Sequence, residues 1–368
     1  MVSGLHLTSK IVYGEDCVLK NQNIFSSFGK KCIIVTSRTS AVKSGALKDV
    51  TLALQGQGIE YILFDKITEN PLVSSVIEGG ALARDFGADF VIGIGGGSPL
   101  DASKAVAICA LNPQYDIDGL YNRPIPSKAL PVILIGTTSG TGSEVTGVSV
   151  LTNDKLMQKK SISGTDCYAA VCFCDARYTY SMSYSVTVST ALDAFAHAVE
   201  GWFSKKCTDT ATLYAKKALP LIYNGLKKLY ETGELPDETV REELYSGSLF
   251  AGLELNICGA AFPHTMGYVL TEEFSVSHGK ACTAFMPALL KRAKTCCPQR
   301  FDELLEVLDD SFENIICIVT TLTDLKGFSA SKEQIADWCS RWEGNKNFNN
   351  SPGGFSVADA ILAMEELL

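Results

Sequence analysis

Between residues 31 and 144 short apolar runs alternate with segments of helical spacing, and that alternation restricts the fold most. The runs are KCIIVT (31–36), YILFD (61–65), DFVIGIGGGS (89–98) and ALPVILIGTTSGTGSE (129–144). The intervening stretches Ala41–Leu54, Val73–Phe86 and Pro99–Leu111 carry apolar residues at helical intervals. Continuous apolar strands that alternate with helices read as a parallel sheet covered on both faces. VSVLT (148–152) and YAAVCFCD (168–175) add two candidate strands. From about Tyr178 onward the reading is helical only, with no repeat and no low-complexity stretch. This predicts an α/β domain over 1–178 and an all-α domain over 179–368.

Two turns stand out in the first half. In GIGGGSPLDASKA, a strand runs into Gly95, Gly96 and Gly97, which permit close backbone approach. Ser98 suits an N-cap, Pro99 the first helical position, and Asp101 a capping-box partner. A helix N-terminus behind glycines offers N–H groups to a pyrophosphate, although the spacing matches neither G-x-G-x-x-G nor the P-loop. The second turn, GTTSGTGSE, presents the hydroxyls of Thr137, Thr138, Ser139, Thr141 and Ser143 at the carboxyl end of a strand. Two such turns after neighbouring strands predict one dinucleotide crevice. After the first strand come Ser37, Arg38, Thr39 and Ser40, with Lys43 a turn later and no carboxylate. An acid there would hold a ribose 2′-hydroxyl and repel a 2′-phosphate, so its absence predicts NADP(H) over NAD(H).

The second half has a candidate metal site. The chain has only 4 histidines. His197 lies four residues after Asp193, about 400° around a helix, so both share one face. His264 and His278 lie 14 residues apart in FPHTMGYVLTEEFSVSHGK, with a loop expected between them. One carboxylate and three imidazoles suit Fe²⁺ or Zn²⁺ better than Ca²⁺ or Mg²⁺. Each histidine alone is more often a hydrogen-bonded core residue; three of four in one pattern raise the metal reading.

Composition excludes other classes. A net charge of -9 argues against a nucleic-acid or anionic-membrane surface. No apolar stretch reaches the ~18 residues of a membrane span, and the N-terminus lacks the pattern of a signal peptide. Thirteen cysteines without an export signal then predict reduced thiols in the cytoplasm, packed as small hydrophobes.

The segments GGGSPLDASKA, TTSGTGSEVTGVSVLT, LDAFAHAVE, PHTMGYVLTEEFSVSHG and NNSPGGFSVADAI resemble the iron-containing (group III) alcohol dehydrogenase family. They follow the family's order from about residue 31 to the end. The resemblance implies a dehydroquinate synthase-like fold: an N-terminal dinucleotide-binding α/β domain, an all-α metal domain and an active site in the cleft. It implies Asp193, His197, His264 and His278 as ligands, and Gly95, Gly96, Gly97 and Ser98 around the pyrophosphate. Thr137, Thr138 and Ser143 would line the nucleotide, and Lys160 falls where the family often has a cofactor-contacting lysine. A homodimer is typical. The activity implied is hydride transfer between NAD(P)(H) and an alcohol or aldehyde.

Two departures are visible. Many members carry a second histidine, assigned to proton transfer, four residues after the third ligand; here that residue is Tyr268. A phenol with pKa near ~10 is a poor base at neutral pH, so Tyr268 either moves the proton when perturbed or only lines the pocket. The missing acid after the first strand is the second departure. Phe262, Met266, Tyr268 and Phe274 are read either as an apolar pocket for a small or medium aliphatic substrate or, equally, as core residues. The rivals are a polyol dehydrogenase, a dehydroquinate synthase-type lyase, and a non-enzymatic nucleotide-binding protein. The lyase would need basic residues that 262–277 lacks.

Overall fold

The computed structural model describes residues 7–368; Met1–His6, part of the stretch read for an export signal, lie outside it. Two compact units meet between Met182 and Ser183.

The first unit contains eight strands: β1 (Lys10–Tyr13), β2 (Lys31–Thr36), β3 (Glu60–Phe64), β4 (Phe90–Gly95), β5 (Val132–Gly136), β6 (Val148–Asn153), β7 (Gln158–Ser163) and β8 (Val171–Cys174). Its α-helices are α1 (Cys17–Lys20), α2 (Ser40–Lys43), α3 (Ala46–Gly56), α4 (Val73–Phe86), α5 (Gly97–Leu111) and α6 (Ile117–Tyr121). Six strands form a parallel sheet in the order β1-β8-β5-β4-β2-β3. All residues of β4, β5 and β8 are buried, whereas edge strand β3 is largely exposed. That contrast is why the central strands read as unbroken apolar runs. The chain leaves β2 towards β3 on one side and towards β4, β5 and β8 on the other. A topological switch therefore lies between β2 and β4, where Thr36 Oγ1 donates to Ile94 O at 2.7 Å.

Two strands escaped the sequence reading. β1 is four residues long at the sheet edge and half-exposed, so its apolar signal is weak. β7 pairs antiparallel with β6 in a separate two-stranded sheet, and its QKKSIS is mostly polar.

The second unit is helical: α7 (Tyr184–Phe203), α8 (Asp209–Thr232), α9 (Glu238–Cys258), α10 (Phe262–Phe274), α11 (His278–Thr283), α12 (Met286–Cys296), α13 (Pro298–Leu308), α14 (Phe312–Thr323), α15 (Lys332–Ser340), α16 (Lys346–Asn350) and α17 (Val357–Leu367). The expected loop between His264 and His278 is mostly α10, and only residues 275–277 connect it to α11. Pro263 occupies the first turn of α10, where its missing N–H costs nothing. Helix α7 is buried along nearly its whole length, against α8, α9 and α11.

The sheet's core predicts its own test. Phe173 of β8 is fully buried and stacks on Phe25 at 5.2 Å. Phe173→Ala should cost about 3–5 kcal/mol, read as a lower urea midpoint. A midpoint that does not move would show that this face of the sheet carries little of the unit's stability.

Candidate functional site

The two turns of the first unit come together as the sequence implies. β4 and β5 are neighbours with Gly95 opposite Gly136, and Thr137 N donates to Gly95 O at 2.9 Å. Gly95 has φ +151°, a backbone state that side chains rarely adopt. A Cβ on Gly97 would lie 2.6 Å from Thr141 Cγ2, so the glycine turn and the hydroxyl turn are in contact. Thr137 Oγ1 and Ser139 Oγ are buried without a hydrogen-bond partner. Buried hydroxyls left open at the carboxyl ends of strands fit a bound polar ligand.

The helix start differs from the expectation. α5 begins at Gly97 with Gly96 at its N-cap and no side-chain cap, so Ser98 and Asp101 form no capping box. Ser98 Oγ instead accepts from Asn70 N at 3.3 Å. Asp101 accepts from Ser143 Oγ at 2.5 Å and from Val150 N at 2.9 Å. Lys104, fully buried and not anticipated, donates to Ser143 Oγ at 2.8 Å and to Val148 O at 2.6 Å. Asp101 and Ser143 thus brace the hydroxyl turn from inside. Ser37 and Ser40 share a 2.6 Å hydrogen bond after β2, and Arg38 is exposed beside them. Lys160 is exposed on β7, with Nζ 4.6 Å from the centre of the Tyr121 ring.

In the second unit, α7, α10 and α11 bring the metal candidates together. Asp193 Oδ1 lies 3.4 Å from His264 Nε2 and 3.9 Å from His278 Nε2. Cys282, one turn after His278, joins them, and donor atoms of the four residues lie within 4.8 Å of one another. His197 stands outside that grouping, its ring stacked on His264 at 4.3 Å between centroids. Tyr268 stacks beside His278 at 6.0 Å. Gly279 permits the approach of α11 to α7: a Cβ there would meet Ser189 O at 1.8 Å.

The electrostatics suit a cation. Burial alone would raise the Asp193 carboxyl, but His197, His264 and His278 more than offset this and hold it well below the usual carboxylate range. Asp193 Oδ1 and His264 Nε2 are buried, 3.4 Å apart, and neither makes a hydrogen bond. Buried polar atoms without partners, converging on one point, fit a divalent metal once the histidines are neutral, and the N/O donor set suits iron or zinc.

Glu200, unnoticed in the sequence, orders this centre. It lies one turn after His197 on the same helix. Its Oε2 accepts from Ala261 N at 2.5 Å, and its Oε1 accepts from His264 N at 3.2 Å and lies 2.5 Å from His264 Nδ1. One carboxylate caps α10, whose own N-cap Ala261 has no side-chain acceptor, and turns His264 Nε2 towards Asp193. Its i+3 and i+7 spacing from His197 and Asp193 was the available signal.

Of the two readings of the apolar residues, core is the one found for three of the four. Phe262 and Met266 are fully buried in a core with Phe285 and Phe348. Phe274 packs on Phe328 and Trp338. Of the four, Tyr268 alone stands beside the metal donors. Because Glu200 orients His264, Glu200→Gln should weaken metal affinity about 10–100-fold in competition with a chelator. Unchanged affinity would remove Glu200 from the centre.

Known proteins match both units. The family described as "Iron-containing alcohol dehydrogenase" matches residues 8–176, and "Fe-containing alcohol dehydrogenase family, C-terminal" matches 187–337. A long-chain-alcohol dehydrogenase of Geobacillus thermodenitrificans is 33% identical over 76% of this chain and 71% of its own length. The structure of an iron-containing alcohol dehydrogenase from Thermotoga maritima is 32% identical, with a TM-score of 0.92 over 100% of this chain and 99% of its own. The sulfoacetaldehyde reductase of Bifidobacterium kashiwanohense, solved in complex with NAD+, is 27% identical with a TM-score of 0.89 over 100% and 99%. From the β4 turn to the histidines of α10 and α11, this chain belongs to the iron-containing alcohol dehydrogenase family.

Proposed function

We propose that the protein is a metal-dependent alcohol dehydrogenase or aldehyde reductase that passes hydride between a nicotinamide dinucleotide and a small or medium alcohol or aldehyde. The observation that carries this is the buried, ionised Asp193 facing His264 and His278, with Asp193 Oδ1 and His264 Nε2 making no hydrogen bond. Asp193, His264 and His278 would hold the metal, with His197 as the fourth ligand the family pattern supplies. A ferrous or zinc ion there supplies Lewis acidity towards an alcohol or carbonyl oxygen, and the nicotinamide supplies or accepts the hydride.

This chain's residues do the positioning. The α5 N-terminus and the backbone of Gly95, Gly96, Gly97 and Ser98 would bind the pyrophosphate. Thr137, Thr138 and Thr141 would meet the nucleotide, braced by Asp101, Lys104 and Ser143. Glu200 fixes the ring of His264. Tyr268, beside His278, is the residue available to hold a proton at its phenolic oxygen, or only to wall the substrate. The contact of Lys160 with Tyr121 leaves its cofactor role to be tested by Lys160→Ala.

NADP(H) over NAD(H) is the finer part of this reading. Exposed Arg38 and the Ser37–Ser40 pair, with no carboxylate after β2, support it. The NAD+ seen in the Bifidobacterium relative points the other way. A cytoplasmic homodimer completes the proposal. Thirteen cysteines, none in a disulfide, support the reducing compartment, and among the described residues no helix is long and apolar enough to cross a membrane. The dimer rests on the family resemblance and is read by light scattering.

Two experiments test the finer claims. Aldehyde reduction should show a higher kcat/KM with NADPH than with NADH, and Arg38→Ala should erase the difference; a wild-type preference for NADH defeats the NADP(H) reading. Tyr268→Phe should lower kcat about 10²-fold or more and change its pH profile if Tyr268 carries the proton. A variant with both unchanged leaves Tyr268 as a wall.

A further inference from the structure

A second cluster of metal-binding side chains lies away from Asp193. Cys207 sits in the connection that follows α7, with Cys207 N donating to Ser204 O at 3.0 Å. Glu254 and Cys258 occupy one face of the last turns of α9, four residues apart. One donor atom from each of Cys207, Glu254 and Cys258 lies within 4.8 Å of the other two.

Glu254 is the anomaly. It is fully buried, and neither Oε1 nor Oε2 has a hydrogen-bond partner. A glutamate is almost never fully buried unless paired, because each unsatisfied buried polar atom keeps the full cost of its lost hydration. Its carboxyl is packed against α7 at Gly201, where a Cβ would lie 2.5 Å from Glu254 Oε1. That face is closed by α7, and the donor atoms within reach of the carboxyl are the two thiols. Burial holds this carboxyl well above its usual range, whereas the Cys207 thiol is lowered to about 6, first by its hydrogen bond with Cys258.

We propose that Cys207, Glu254 and Cys258 form a second metal site, which takes a zinc-class divalent cation. Two thiolates and one carboxylate carry three negative charges. A divalent ion and the Arg300 guanidinium, whose Nη2 lies 3.4 Å from Cys207 Sγ, carry three positive ones. Arg300 donates to the sulfur and is itself fixed by Thr212 Oγ1 at 2.9 Å and by stacking on Trp202 at 3.6 Å. That arrangement gives a metal thiolate its outer hydrogen bond. Zinc–sulfur bonds of about 2.3 Å put two sulfurs roughly 3.8 Å apart in a tetrahedral site, so the donors need close by only about 1 Å. A cavity of about 360 Å³, lined by Cys207, Thr212, Arg300 and Asp209 among others, borders the site on its Cys207 side, where an ion would enter and water would take the fourth position. On binding, the Cys258 thiol and the Glu254 carboxyl release their protons to solvent, while Cys207 binds as the thiolate it already favours.

The ion would clamp the end of α7, which carries His197 and Glu200, to the end of α9. Residues 259–261 then lead directly into α10 and His264. The role is structural and independent of the hydride chemistry.

The test uses the full-length protein, stripped with a chelator and reloaded with Co²⁺. Wild type should retain one more cobalt per chain than Cys207→Ser, and Glu254→Gln should show the same deficit. Thiolate-to-cobalt charge-transfer absorption should persist in Cys282→Ser and vanish in Cys207→Ser, which separates this site from the thiol beside His278. Circular dichroism confirms that the variants are folded, and Cys258→Ser is the alternative if one is not. Equal cobalt in wild type and variants, absorption lost only in Cys282→Ser, or a Cys207–Cys258 disulfide in the purified protein would each overturn the proposal.

Discussion

The second unit depends on a buried carboxylate on α7 that accepts from a different helix. Glu200 takes the amides of Ala261 and His264 and the ring of His264 at once. A carboxylate at the N-terminus of α10 satisfies orphan N–H groups and meets the positive end of the helix dipole. Both effects lower the cost of burying its charge. The same contacts leave His264 with one ring orientation, Nε2 towards Asp193. Fold and chemistry are thus held by one side chain: without Glu200 the start of α10 loses its cap, and the histidine loses its bearing.

Asp193 sits two turns earlier on the same helix and faces the opposite problem. It is buried and ionised, and its histidine neighbours do not satisfy Oδ1. Such an arrangement is costly in an empty site and favourable around a cation, so the protein holds stored preference for metal in its second unit. The first unit shows the same logic with smaller stakes. Thr137 and Ser139 bury hydroxyls without partners, while Asp101, Lys104 and Ser143 are fully engaged behind them. The braced residues hold the turn, and the open ones keep hydrogen-bonding capacity to spare.

Much of this was legible beforehand, and the exceptions have physical reasons. The central strands read correctly because burial on both faces makes them continuous apolar runs. Strands β1 and β7 did not, since edge and hairpin positions leave polar residues in place. Asp193 and His197 were visible through helical spacing, and His264 and His278 through scarcity. Glu200 and Cys282 were not, because their roles arise only when α10 and α11 pack on α7. Helix α10 was taken for a loop: Pro263, Gly267 and the β-branched Thr265, Val269 and Thr271 weaken local propensity, yet Phe262, Met266, Val269 and Leu270 hold one buried face. That burial also makes Phe262 and Met266 core residues rather than pocket walls.

The central claim is that Asp193 and its histidines hold the metal on which hydride transfer depends. The most direct measurement is nicotinamide oxidation with an aldehyde, followed in one preparation as isolated, after chelation, and after Fe²⁺ or Zn²⁺ is returned, alongside Asp193→Asn. The account predicts activity that disappears on chelation, returns with metal, and does not return in Asp193→Asn while that variant stays folded. Aldehyde reduction that persists without metal, or in folded Asp193→Asn, would contradict it.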